Sequence, residues 1–169
     1  VATMVGDPDD ERQARREGVA GHRTVPHTAD IRVEAWGASR ERCLAEAVLG
    51  MVECFADVST VRATGVEHVR LDEESDDDLL ASLLDEVLYR LEVWGRVPVD
   101  VEVDATGTTE VADVDIGDDV ADDGLDVRLA VADLAAVEIT GAVPKAVSWH
   151  ELHIGPGPYG WSCSVTIDA

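Results

Sequence analysis

The sequence predicts a single α+β domain, with two amphipathic helices covering one face of a largely antiparallel sheet. Three observations predict it. Apolar residues recur at helical spacing in two stretches and alternate with period two in several others. The order β-α-β-α is followed by further strands. The chain has 169 residues, 46% of them hydrophobic, which suits one domain with one core.

Residues 1–24 read as a disordered polar leader, rich in charge and without periodicity, and 25–169 as the folded domain. Arg32 to Trp36 alternates as a strand does, and Gly37 ends it. Ser39 then caps a helix whose apolar face is Leu44, Val48, Met51, Val52 and Phe55. Val66 to Leu71 alternates again. Ser75 opens the second helix, with Asp76, Asp77 and Asp78 at the positive end of its dipole. Leu80, Leu83, Leu84, Val87, Leu88 and Leu91 line one face of it, and Gly95 stops it.

Beyond Gly95 the pattern turns to β. Val97, Val99, Val101 and Val103 are placed on one strand face, and Gly107 suggests a turn into a short strand over 109–114. Residues 113–124 hold six aspartates and do not match the glycine and closing-glutamate positions of an EF-hand loop, so they read as a solvated acidic loop. Leu125 to Val131 is a strand, a turn or helical segment follows near Asp133, and 141–144 is a linker. Lys145 to Ile154 and Trp161 to Ile167 form a hairpin around residues 155–158.

Charge narrows the function. Thirty-six Asp and Glu stand against 13 Lys and Arg, a formal net charge of −23. Such a surface disfavours direct non-specific binding to nucleic acid, which needs a basic face. Self-repulsion of this size is tolerable where salt screens it, so the composition suggests a halophilic source. Twelve of the basic residues are arginine, and the only lysine is Lys145. No apolar run approaches the roughly 20 residues that span a bilayer, and residues 1–23 lack the apolar core of a signal peptide. The expected location is the cytoplasm. Cys43, Cys54 and Cys163 have no metal-ligand spacing and read as buried thiols.

There is no phosphate-binding loop or dinucleotide fingerprint. Residues 155–160, the nearest glycine-rich stretch, place prolines where backbone donors would be needed, so they read as a turn. No serine sits in a nucleophile elbow. Two short polar motifs remain, His27-Thr28-Ala29-Asp30 before the first strand and Lys145-Ala-Val-Ser-Trp-His150 at the last hairpin. Trp149 and His150 are expected on opposite faces of one strand. Asp30, Asp168 and the carboxylate of Ala169 meet if the first and last strands are neighbours, and would then repel unless a cation sat among them. Such an all-oxygen set suits a hard cation such as Ca²⁺ or Mg²⁺. Solvated terminal aspartates are the plain alternative.

The opening motif, its strand and the helix after it resemble the start of the archease family. The helix through Leu83-Leu84-Asp85-Glu86-Val87-Leu88-Tyr89 resembles that family's second helix, and Lys145 to His150 is similar to its K-A-x-T-Y-H pattern. Trp161 to Asp168 resembles its closing strand. The likeness runs in matching order over roughly residues 25 to 169, with Ser148 and Trp149 replacing Thr and Tyr. Ala169 replaces a commoner larger residue, and the acidic 113–124 stretch is unlike the family. The resemblance implies a small non-enzymatic partner of the tRNA-splicing RNA ligase, which joins exon halves using GTP and manganese. It implies promotion of ligase guanylylation and turnover, with GTP and RNA met only through the ligase. It further implies a divalent metal, Ca²⁺ first and Mg²⁺ or Mn²⁺ as alternatives, at Asp30, Asp168 and Ala169. Lys145 and His150, and His27 with them, would lie near the partner or its nucleotide. Two other readings stand beside it: a stand-alone metal-dependent hydrolase using Asp30, His27 and His150, and a chaperone-like adaptor of nucleic-acid modification.

Overall fold

The computed structural model describes Arg12 and residues 14–27, 30–105 and 124–169, the side chains of Pro26 and His27 excepted. Helix α1 spans Arg40–Glu53 and α2 spans Asp76–Trp94. The strands are β1 (Gly21–His27), β2 (Asp30–Gly37), β3 (Ala56–Asp57), β4 (Gly65–Leu71), β5 (Arg96–Ala105), β6 (Leu125–Asp133), β7 (Glu138–Ile139), β8 (Ala146–Gly157) and β9 (Gly160–Asp168). They pair antiparallel in the orders β1-β2-β9-β8, β4-β6-β5 and β3-β7. The expected α+β class with a largely antiparallel sheet is what the chain adopts, divided among separate sheets.

Both helices begin where their side chains allow. The Ser39 and Ser75 hydroxyls accept from the Arg42 and Asp78 backbone N–H groups, satisfying donors that have no partner within the helix. Gly95 ends α2 in the left-handed region, at φ 60°, which glycine adopts without steric cost. The apolar faces then pack together. Leu44, Val48 and Met51 of α1 meet Leu80, Leu83, Leu84 and Val87 of α2. Val33, Val165 and Ile167 from the four-stranded sheet and Val127 and Leu129 from the three-stranded sheet close the same core. Fully burying each such side chain contributes about 1.5–3 kcal/mol. A second cluster, around Val52, Phe55, Leu91 and Val97, seals the far end of the helices.

Several expectations are corrected in detail. Residues 21–24, expected in the leader, form the first half of β1, opposite Val33–Trp36. That strand carries no apolar period to reveal it. Backbone pairing makes it, together with a clamp in which His22 bridges Glu46 and Glu53 of α1 at 2.7 and 2.5 Å. The four valines of β5 do not share a face, because the register shifts between Pro98 and Asp100. Val101 and Val103 join the main core, and Val97 joins the second cluster. The last hairpin turns at Pro158–Tyr159, with Gly157 opposite Gly160, so residues 155–157 still belong to β8. An edge strand tolerates Pro156, since no ladder bond is lost on its outer side. Gly160, at φ 116°, brings the turn against Gly37, whose carbonyl oxygen would stand 2.6 Å from an added Cβ. The expected strand at 109–114 and nearly all of the acidic 113–124 stretch lie outside the described residues.

Candidate functional site

Asp30 is the first residue of β2 and Asp168 the last of β9, and the antiparallel register sets them directly opposite each other. Alternation fixes their face. Val33 and Ala35 of β2, and Cys163, Val165 and Ile167 of β9, are buried toward the helices. Asp30 and Asp168 therefore project from the outer face, and directly opposed residues place their Cβ atoms about 4.5–5.5 Å apart. His27 pairs with Asp30 on one side, and Ala146 pairs with Asp168 on the other. The Lys145 backbone N–H donates to the Asp168 carbonyl at 2.7 Å. The ends of all four strands thus align in one row, with Ala169 next in sequence.

Little on this face neutralises the pair. Arg32 lies two residues along β2, but its Nε donates to the Ser164 hydroxyl at 2.7 Å and stands 3.7 Å from Glu34. Among the described residues, neither Asp30 nor Asp168 has an ion-pair partner, and like charges directly opposed on a sheet destabilise it. No group of three or more His, Cys, Asp or Glu side chains gathers for a metal among those residues. Two side-chain carboxylates therefore form the nucleus of the site. Beyond the described side chains, the main chain, water or a partner could supply further oxygen ligands.

The end motifs separate in three dimensions. Lys145 falls beside the carboxylate row, with its side chain exposed. His150 does not join the row. The β8–β9 register breaks between Ser148 and His153, and residues 149–152 bulge from the edge strand. Trp149 is 57% exposed and the His150 side chain 87%, so the expected placement on opposite faces of a regular strand is wrong. Bulged residues leave the ladder, and here the backbone also carries Glu151 at φ 60°. The His27 side chain lies outside the described ones.

The acidic triplet of α2 proves structural. Asp76 pairs with Arg40 at 2.9 Å. Asp77 accepts from the Ile154 N–H at 2.9 Å and lies 3.3 Å from His153 Nδ1, fastening edge strand β8 to the helix beyond its bulge. Sequence reasoning missed that role of Asp77, since helix-dipole electrostatics already explained an aspartate there. The thiols are unsuited to nucleophilic work. Hydrogen bonding with Cys163, then burial, pushes the Cys43 thiol far up, and burial with Glu53 nearby raises Cys54 to about 12. No helix among the described residues is long and apolar enough to cross a membrane.

Comparison with known proteins places the chain. The archease protein family model matches residues 22–169. A protein of Mycobacterium tuberculosis named "Probable protein archease" is 43% identical over 157 residues, covering 92% of this chain and 79% of that protein. "Protein archease" of Methanosarcina barkeri is 26% identical over 148 residues, covering 85% and 92%. The fold matches the solution structure of Methanobacterium thermoautotrophicum protein 1598, with TM-score 0.62, 24% identity and coverage of 88% and 99%. It also matches the crystal structure of a Thermotoga maritima protein described as an archease and possible chaperone, with TM-score 0.57, 19% identity and coverage of 87% and 96%. With its family model spanning both end motifs and everything described between them, this chain belongs to the archease family.

Proposed function

We propose that this chain is a non-enzymatic activator of the GTP-dependent tRNA-splicing RNA ligase, acting through a divalent cation held at Asp30, Asp168 and Ala169. The observation that carries the reading is the direct opposition of Asp30 and Asp168 at one sheet end, beside the only lysine. Two carboxylates held at strand spacing with no ion-pair partner among the described residues are a stable arrangement once a cation bridges them. All-oxygen donors fit a hard cation, and Ca²⁺ accepts six to eight oxygens in irregular geometry. Oxygens from these three residues leave room for water or for an oxygen of the partner. When bound, the metal supplies charge neutralisation at the tip that enters the ligase.

The chain's own residues do the positioning. Strand register fixes the two carboxylates, and the Lys145 backbone bond to Asp168 holds that lysine at the same end. An ammonium there would meet an anionic group of the ligase, its nucleotide or its RNA. Phosphoryl transfer depends mainly on positioning and charge neutralisation, so a partner that supplies both raises the rate without chemistry of its own. The hydrolase reading loses support from the bulge, which takes His150 out of the carboxylate row.

The test is ligase guanylylation and multiple-turnover RNA joining, with ligase from the same source and high potassium chloride. Stimulation by substoichiometric protein is the expected result. Lys145→Ala is expected to reduce stimulation while leaving metal affinity intact. Absence of stimulation across a range of salt and metals would overturn the proposal. Turnover of simple phosphoesters by the chain alone would restore the hydrolase.

A further inference from the structure

Trp36 is 4% exposed, yet it belongs to neither apolar cluster. Alternation puts it on the outer face of β2, with Asp30, Arg32 and Glu34, and directly opposite Gly21 of β1. A Cβ added at Gly21 would stand 2.6 Å from the indole ring, so glycine leaves the room the ring occupies. Residues 14–20 return over this end of the face. The Arg15 guanidinium lies 5.2 Å from the Trp36 ring centre, and that of Arg16 lies 5.6 Å from the Tyr159 ring. The return is made by a turn with Gly18 at φ 73°. In it the Gly18 and Val19 N–H groups donate to the Arg15 and Ala14 carbonyls, at 3.2 and 2.9 Å.

This cover is chemically mismatched to what it hides. Val19 is the one large apolar residue in 14–20, and it is 53% exposed, so the segment lays charge rather than apolar surface over a tryptophan. The indole N–H is buried with no hydrogen-bond acceptor among the described residues, which leaves its desolvation uncompensated. The described residues of the segment and of the β8–β9 turn also leave a cavity of about 450 Å³, its lining including Arg12, Arg15 and Arg23. A gap where side chains would otherwise touch forfeits dispersion contacts.

We propose that residues 14–20 are a displaceable strap, and that Trp36 beneath them is a docking anchor for a protein surface presenting an apolar side chain and a main-chain carbonyl. The partner is the ligase of the function proposed above, on which this inference rests. Asp30 and Trp36 share the outer face of β2, six residues apart, about 20 Å at strand rise. A standard interface covers about 800 Å² on each partner, wide enough to take in both. A partner seated on the carboxylate pair along this face therefore meets the strap. With the strap down this end is closed, and Arg23 and Glu34 match each other's charge. Lifting it presents a tryptophan, a residue enriched among those that dominate binding energy. An apolar group on the ring and a carbonyl on its N–H supply the two contacts the strap lacks.

The test is a ligase titration of the full chain labelled with 5-fluorotryptophan, followed by fluorine NMR and amide hydrogen exchange, with the half-saturating concentration for ligase activation read in parallel. Trp36→Phe assigns the Trp36 line. Bound ligase should shift that line and speed exchange at the Gly18 and Val19 amides. Gly18→Val puts a β-branched residue on left-handed backbone, where its Cβ meets nothing within 4 Å, so it unsettles the turn and touches nothing else. It should lower the half-saturating concentration about 3–10-fold, because apparent affinity scales with the open fraction. Arg15→Ala should act in the same direction. A gain in affinity is not what a merely weakened fold gives. Trp36→Phe, which keeps a ring and removes the N–H, should cancel most of the gain when added to Gly18→Val. Ligase binding with the Trp36 line and both amides unchanged overturns the strap and leaves the activator reading standing. Half-saturation unmoved by Gly18→Val does the same. Absence of ligase binding by the unsubstituted chain sinks that reading and this docking site together.

Discussion

The two ends of the four-stranded sheet handle charge in opposite ways. At the Gly21–Trp36 end the acids are satisfied from within. Glu34 receives Arg23 and lies near Arg32, and Glu46 and Glu53 receive His22. At the other end Asp30 and Asp168 face each other with no ion-pair partner among the described residues. Both ends belong to the same strands, so twist and pairing do not distinguish them. The difference is whether counter-charge is built in or must be supplied. An end that carries its own counter-charge is structural, and one that lacks it has a reason to bind.

The largest expected effect breaks the second end. Asp30→Ala or Asp168→Ala should lower divalent-metal affinity by at least ~100-fold, read by calorimetry, and abolish ligase activation with an unchanged circular dichroism spectrum. Full activation by both variants would make the two ends equivalent and remove the metal site. Next is the first end. Burial opposes the charged form of His22, but hydrogen bonds to Glu46 and Glu53 outweigh it and raise its pKa from 6.5 to about 9. A pKa raised on folding stabilises the fold below the unfolded value and loses that contribution as pH climbs through the folded one. Stability should therefore fall by on the order of 2 kcal/mol between about pH 6.5 and 9. Exposure of Glu53 holds this below the full linkage value. His22→Gln should flatten that slope in urea titrations, and an unaltered slope would disprove the clamp.

Smaller effects sharpen the contrast. Ser75→Ala removes a helix cap remote from either charge system and should cost about 1 kcal/mol at every pH, without altering metal affinity. A pH-dependent cost would mean that the cap and the His22 clamp are coupled. The smallest effect has the opposite sign. With metal chelated, Asp30→Asn relieves like-charge repulsion and should stabilise the chain by about 0.2–1 kcal/mol, whereas with saturating metal it should destabilise it. The same sign in both conditions would show that the pair does not share a cation.

Much of this was legible before any coordinates. Ser39, Ser75 and Gly95 marked helix ends through local hydrogen bonding and backbone freedom, which depend on neighbouring residues alone. The leucines of α2 announced a buried face because helical period is a property of the chain itself. Even the meeting of Asp30 and Asp168 could be framed as a consequence of the first and last strands being neighbours. The missed features all depend on pairing. Strand β1 has no apolar period, so it is a strand only because β2 is beside it and His22 reaches α1. The bulges at Val99 and at residues 149–152 are mismatches between partner strands, invisible in either strand alone.

Sequence by itself determined the helices, the strand content, the acidic surface and the family resemblance, because composition and period are local. Tertiary structure alone decided which strands are neighbours. That choice set two carboxylates 138 positions apart in direct opposition, moved His150 out of their row and gathered three arginines around one turn. Strand order and register arise from long-range burial and backbone pairing, which no local pattern encodes.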